Sequence, residues 1–228
     1  MFCYLDHRTT DMKYNIITDA YVTPGNVHDS VPYLSRLDRQ IERFNLKVEA
    51  AALDSGYLTN PICKGLSDRN IFGVIAHRRY HPTKGLFPKW KFTYDIENDQ
   101  YICPNSQKLP YRTTTREGYR EYKSDPNQCS HCPLLFECTR SKNKTKVVTR
   151  HVWEEHKEKV RLNRLSKSGK MLYRFRKEKV ERSFADSKEL HGLRYCRLRG
   201  IQGASEQVLL TAACQNMKKI ATHLAKLG

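Results

Sequence analysis

No run of apolar residues in this chain approaches the roughly 20 that a membrane-spanning helix needs. Its opening, MFCYLDHR, lacks the charged-then-apolar pattern of a secretion signal. Acidic residues are scarce beside basic ones: 24 Asp and Glu face 41 Lys and Arg, a formal net charge of +17. Glycine and proline are few, 11 and 9, while aromatics make up 10% of residues, which excludes disorder along the whole length. These absences leave a basic globular protein, expected to be soluble, cytoplasmic and free of any membrane association. Its 228 residues suffice for one substantial core, or for a core carrying a smaller inserted module. A polyanion is the first partner to consider, because basic side chains neutralise phosphates and release their counterions.

Eight cysteines are present, at positions 3, 63, 103, 129, 132, 138, 196 and 214. Four sit singly in apolar or helical contexts, where a free thiol is ordinary. The other four read C-x25-C-x2-C-x5-C, from Cys103 through Cys129 and Cys132 to Cys138. Without a secretion signal, clustered cysteines read as metal ligands rather than bridges. The CxxC pair is the usual two-ligand knuckle, and a four-thiolate shell would hold a structural Zn²⁺ with no open position. A redox motif is its main rival. The x5 spacing makes Cys138 the loosest member of the set, and His131 reads as a bystander.

Residues 1–76 alternate between strand and helix signals. Phe2–His7 and Tyr14–Val22 read as two strands joined by a polar turn. Pro24, Gly25 and Asn26 break the pattern, and a helix follows with Asp29 or Ser30 as its cap and Leu34, Leu37, Ile41 and Phe44 on one stripe. The run VEAAALD then ends in Asp54, a short helix spans about 61–69, and IFGVIAH forms a further strand. The order β-β-α-β-α-β predicts an α/β fold, a mixed sheet flanked by helices. Residues 77–150 change character: Pro, Gly, Lys and Tyr become frequent and the four clustered cysteines appear, as in a small insertion of zinc-ribbon type. Residues 151–228 read as basic helices that complete the core. Within 139–200 there are 20 Lys and Arg against 7 Asp and Glu. The last helix, about 205–227, carries Leu209, Ala213, Met217, Ile220 and Leu224 on one face.

Two carboxylates stand out. Asp54 ends an apolar strand and precedes Ser55-Gly56-Tyr57, so it either faces a crevice at the carboxyl end of a sheet or caps the next turn. Glu181 lies in KEKVERSFADSKELHG, with Lys177, Phe184 and Lys188 on or near its face. It is either a functional acid or half of a solvated ion pair with Lys177. Together, carboxylates from separate elements can hold a pair of Mg²⁺ (or Mn²⁺) ions that activate a water or 3′-hydroxyl and stabilise a leaving oxygen. The basic side chains Lys177, Arg182, Lys188, Arg194, Arg197 and Arg199 would then hold a nucleic-acid backbone in register, though solubility alone could account for several of them. Asp29 reads as a helix cap and His28 as a loop residue. The tyrosines at 94, 101, 111, 119 and 122 either stack on unpaired bases or pack their edges within a small β-rich module.

The segments VTPGNVHDS, ALDSGY and VERSFADSKELHG resemble insertion-sequence transposases of the DDE class. More narrowly, they resemble the bacterial subgroup with a cysteine-rich insertion between the second Asp and the Glu. The resemblance runs over essentially the whole chain. It implies an RNase H-like core, metal-dependent cleavage and transfer of DNA strands at element ends, double-stranded DNA (element termini and target) as partner, and a homodimer on DNA. By that similarity Asp54 matches the second catalytic Asp and Glu181 the catalytic Glu. The related Tyr-x2-Arg-x3-Glu-x6-Lys signature is partly kept: Lys188 stands at the right distance, but Lys177 and Arg174 occupy the Arg and Tyr positions. Tyr173 and Arg176 lie one position out of that register. Phe2–His7 resembles the second strand of such a core, so the first catalytic Asp is expected to be missing and the chain to be N-terminally truncated. The alternatives are a catalytically inactive remnant that still binds DNA, and a zinc-stapled DNA-binding module.

Overall fold

The computed structural model describes residues 3–77 and 81–227. Phe2, expected to open the first strand, lies outside them. The chain divides into two compact units, residues 1–77 with 156–228, and residues 78–155. In chain order the elements are β1 (Tyr4–Thr10), β2 (Ile17–Pro24), α1 (Ser30–Phe44), β3 (Ala50–Leu53), α2 (Asn60–Asp68) and β4 (Phe72–Ile75). Then come β5 (Thr93–Asp95), β6 (Gln100–Ile102), β7 (Lys108–Thr114), β8 (Tyr119–Lys123), α3 (Pro126–Ser130), α4 (Leu135–Cys138) and β9 (Val147–His151). The chain closes with α5 (Glu154–Leu165), α6 (Lys167–Arg176), a π-helical turn (Lys177–Glu181), α7 (Arg182–Leu190) and α8 (Gly200–Leu224).

The first unit is mixed α/β, strands flanked by helices, as the element order predicts. Its strands form two separate pairs: β1 and β2 antiparallel, β3 and β4 parallel. Each pair has its own core. Leu37 of α1, Ile62, Cys63 and Leu66 of α2, Ile75 of β4 and Val160 of α5 enclose one, with Ala51 and Leu53 packed against it. Val22 of β2 meets Ala204 and Val208 of α8 in the other. The parallel pair follows from α2, whose crossover returns the chain to the same end of the sheet. At the start of α6, Ser166 accepts a hydrogen bond from the Gly169 amide at 3.0 Å. Gly169 can carry no side chain, since a Cβ there would lie 1.9 Å from the Asn163 carbonyl oxygen.

Two expectations change. Asp29 stands at the N-cap of α1, but its side chain makes no cap bond; Ser30 Oγ pairs instead with His28 Nδ1 at 2.7 Å. On α8 the face of Leu209, Met217, Ile220 and Leu224 is exposed, and Ala204, Val208, Thr211, Ala212 and Gln215 are buried. Small residues on that face allow close approach to β2 and α7. The polar ones are satisfied there: Gln215 bonds Ser183 and Ser187, and Thr211 bonds the Gln207 carbonyl.

The second unit is a five-stranded antiparallel sheet in the order β5-β6-β7-β8-β9. Its core is Phe92, Tyr101, Leu109, Tyr122 and Val148, with Cys103 and Cys138 packed against it. Tyr94, Tyr101 and Tyr122 pack edge to face or tilted, with ring centroids 5.1 to 5.9 Å apart. The hydroxyls of Tyr94 and Tyr122 both donate to Asp99 Oδ1, at 2.7 and 2.6 Å, and these bonds hold the Asp99 carboxyl below its ordinary range. Of the five singled out, Tyr111 and Tyr119 are the most exposed, and even these pack edge-on against Tyr122 and His151.

Candidate active site

Asp54 directly follows β3, and its extended backbone makes it the cap of a short 3₁₀ turn, Ser55–Tyr57. Oδ1 accepts the Gly56 amide at 2.9 Å, which fixes the carboxylate and leaves Oδ2 free to turn elsewhere. Oδ2 meets Arg176 Nη2 at 3.4 Å, a contact between residues 122 positions apart. The other terminal nitrogen, Nη1, meets Glu181 Oε1 at 3.5 Å. One guanidinium thus lies on both carboxylates. Asp54 is a turn cap through one oxygen and pairs with Arg176 through the other.

The Glu181 side chain does not pair with Lys177. Residues 177–181 form a π turn, in which positions five apart share a face, so Arg176 takes the place a residue four back would hold in an α-helix. Arg176 stands five positions before Glu181, one more than the Arg of the signature, and the π turn spans that spacing. Arg176 is mostly buried, with 14% of its side chain exposed against 42% for Asp54 and 61% for Glu181. Ion pairs this exposed contribute little to stability. What they do show is two acids, from distant parts of the sequence, converging on one positive charge.

A third carboxylate stands close by. A methyl group placed on Gly56 would lie 3.2 Å from Asp54 Oδ1 and 3.6 Å from Asp29 Oδ2, so these acids flank the same glycine. Asp29 and Asp54 both act on the Tyr57 phenol, which burial first of all pushes far up; Arg176 pulls it back. His7 Nδ1 lies 3.6 Å from Asp29, and its Nε2 is 2.7 Å from Thr23 Oγ1. Burial lowers the His7 pKa, against the pull of Asp29 and Asp6. The sequence signal for Asp29 was its place in GNVHDS. Nothing in periodicity pointed to Arg176.

Lys177, Arg182, Lys188, Arg194, Arg197 and Arg199 are all exposed. Arg194 is paired with Glu189. Among the described residues, no carboxylate lies within ion-pair reach of the other five.

In the second unit the thiols of Cys103, Cys129 and Cys132 are near enough to act on that of Cys138, whose pKa burial raises above the ordinary thiol value. Donors already point at two of the sulfurs: the Gln107 amide reaches Cys103 Sγ at 3.3 Å and Asn105 Nδ2 reaches Cys132 Sγ at 3.5 Å. Cys129 Sγ donates to Ser124 Oγ at 3.2 Å. Among the described residues no two cysteines are joined by a disulfide. Among the described residues, no group of three or more His, Cys, Asp or Glu is drawn closely enough together to hold a metal ion, at either place. No helix among them is long and apolar enough to cross a membrane.

No curated protein and no solved structure matches the chain. A family model described as a transposase DDE domain matches residues 102–221, more than half of the chain. That stretch contains Glu181, Arg176 and the four clustered cysteines, while Asp54 lies before it. DDE transposases move DNA segments by acting on their strands, and they typically use divalent metal ions. With an α/β architecture consistent with an RNase H-like fold, this chain belongs to the transposase DDE domain family.

Proposed function

We propose that the first unit carries the phosphoryl-transfer site of a transposase, with Asp54 and Glu181 as two of its metal-holding carboxylates. One observation carries this reading: the two acids, brought together from opposite ends of the sequence, both lie on the Arg176 guanidinium. That cation stands where a divalent ion would balance the same charges, and the donor set is oxygen only, which suits Mg²⁺ or Mn²⁺. A divalent ion there supplies Lewis-acid activation of a hydroxyl and stabilises a leaving oxygen. The protein's own part is orientation. Gly56 holds one Asp54 oxygen, the π turn sets Glu181 opposite Arg176, and the exposed cations from Lys177 to Arg199 hold the DNA backbone.

The test is Mn²⁺ binding, followed by electron paramagnetic resonance on the full chain. Asp54→Asn and Glu181→Gln are each expected to weaken binding at least tenfold, because each removes half of the charge that faces the ion. Binding unchanged in both variants would overturn the reading. The Arg176 guanidinium, which already lies on both acids, favours a second reading, in which the chain binds element ends without cutting them. Robust Mg²⁺-dependent cleavage by the purified chain, abolished by Asp54→Ala, would sink that alternative.

For the second unit the proposal is a structural Zn²⁺ held by Cys103, Cys129, Cys132 and Cys138. In support, the four thiols lie near enough to act on one another, and an N–H donor reaches the sulfur of Cys103 and of Cys132. Chelation with EDTA is expected to loosen residues 100–140, seen as faster proteolysis within that span, while a reductant leaves it unchanged. Sensitivity to reductant instead would identify a disulfide.

A further inference from the structure

Asp54 and Glu181 each commit one oxygen to the same guanidinium: Oδ2 lies 3.4 Å from Nη2 and Oε1 lies 3.5 Å from Nη1. A Mg²⁺ ion demands oxygens at about 2.0–2.1 Å, so two oxygens sharing one ion stand within about 4 Å of each other. To close on such an ion, both oxygens have to leave the guanidinium. An ion added beside the arginine would instead meet its positive charge at short range, where repulsion is large. Arg176 and a shared cation are therefore alternatives.

The bridge is built to give way. Both contacts are longer than the roughly 2.7–2.9 Å of a strong charge-assisted hydrogen bond. Both acids are exposed enough for solvent to screen the pairs. Arginine keeps its proton at every pH a folded protein meets, so acid or base does not open the bridge; a competing charge does. The π turn aims the guanidinium at Glu181. In a uniform α-helix, positions five apart would diverge by about 140°, the remainder of five steps of about 100°. There is also room for the side chain to leave, because Asp54, Arg176 and Lys179 line a cleft of about 600 Å³.

We propose that Arg176 is a built-in, exchangeable counter-ion: it holds Asp54 and Glu181 closed to metal in the resting chain, and its guanidinium swings into the cleft when a divalent cation takes its place. The inference rests on the reading of these two acids as metal-holding. It adds a threshold to that site, because an acid pair engaged for most of the time binds metal with an affinity reduced to the fraction left free. It also selects for valence. A monovalent cation replaces one positive charge by another, whereas a divalent one brings the second charge that two carboxylates call for. An Arg176 fixed in place would leave the chain without metal, as the non-cutting reading requires.

The experiment measures Mn²⁺ binding to the full chain by electron paramagnetic resonance, comparing single variants with the unchanged protein. Arg176→Gln is expected to tighten binding about tenfold, the gain when a bridge closed nine-tenths of the time is removed. Arg174→Gln removes an equal charge two residues away, one that pairs with Glu178 at 3.5 Å. It is expected to change binding less than about twofold, because exposed charges act weakly at a distance. No tightening in Arg176→Gln overturns the proposal, and so does equal tightening in both variants, which would be an effect of net charge alone. Asp54→Asn and Glu181→Gln separate the exchange from the reading beneath it. If they weaken binding while Arg176→Gln does not strengthen it, the metal site stands and the exchange falls. If no variant changes binding, the metal site falls and the exchange with it. The Arg176 side chain is mostly buried, so a second measurement uses the unchanged chain and does not depend on how the variant folds. The Arg176 Nε–H signal is followed by NMR as Mg²⁺ is added, and it is expected to shift over the concentrations that displace Mn²⁺ in a separate sample. A signal that stays in place over that range overturns the proposal equally.

Discussion

Binding of this chain to duplex DNA is expected to fall by about a thousandfold or more between 50 and 200 mM salt, as it does for proteins that neutralise about six or more phosphates. The family implies a DNA partner, and the charge is available: +17 overall, with the basic excess concentrated in the helical part. Lys177, Arg182, Lys188, Arg197 and Arg199 are exposed and without an ion-pair partner among the described residues, so their charge is free for phosphate. Arg194 is already engaged by Glu189 and should matter less. Replacing the five by glutamine is expected to reduce the log–log salt slope by about 4.5, at roughly 0.9 for each phosphate no longer neutralised. Anisotropy of a labelled duplex across a salt series measures both quantities. An unchanged slope in the fivefold variant would place the DNA face elsewhere on the chain.

Arg8→Met is expected to destabilise the chain by about 3–5 kcal/mol, the usual cost of removing one partner from a buried charged pair. The Arg8 side chain is fully buried, bonds Asp6 Oδ2 at 2.5 Å, and donates to Ser187 Oγ at 2.7 Å and to Ser183 Oγ and carbonyl at 3.1 and 3.2 Å. Phe184 stacks on its guanidinium at 4.7 Å. Gln215 closes the network from α8, accepting from Ser183 Oγ at 2.9 Å and donating to Ser187 Oγ. This polar knot ties β1, α7 and α8 together. Burial already pushes the Asp6 carboxyl above its ordinary range, against the pull of Arg8, so the acid left behind would be badly placed. Replacing Asp6 by Leu in the same chain should recover part of the loss, because no unpaired charge then remains. Urea unfolding of the three proteins checks this, provided the slope m stays constant. A loss below about 1 kcal/mol in Arg8→Met would show that the network merely replaces its hydration.

Much of the first unit was legible in the sequence because its elements obey simple periods. The apolar stripe of α1 and the run Ala50–Leu53 ending in Asp54 fall within a residue or two of expectation. What periodicity cannot give is which side of a helix a neighbour occupies. On α8 the large apolar residues are exposed, and the buried side is set by small residues and by Gln215, whose burial depends on two serines 28 and 32 positions earlier. Of the second unit the sequence offered its clustered cysteines and a β-rich reading of its tyrosines, but not the individual strands. Its strands are three to seven residues long and largely polar on one face, too short to announce a sheet. At the candidate site, Asp54 and Glu181 could be singled out individually, one by its strand end and the other by its setting among basic residues. Their meeting on Arg176 depends on a contact across 122 positions and on a non-α turn, and neither leaves a mark in local pattern.

The π turn has a consequence for reading helix length. Each α-helical residue advances the side-chain direction by about 100°, from 3.6 residues per turn. One residue taken up by the wider turn therefore shifts the phase of everything on one side relative to the other. Residues up to Arg176 and residues from Ser183 keep separate angular frames, so one frame can serve the carboxylates while the other holds Arg8 against the sheet. Counting along the helix as though it were uniform misplaces one frame or the other, and a related sequence one residue shorter between positions 176 and 181 would present its arginine to the same acid through an ordinary α turn.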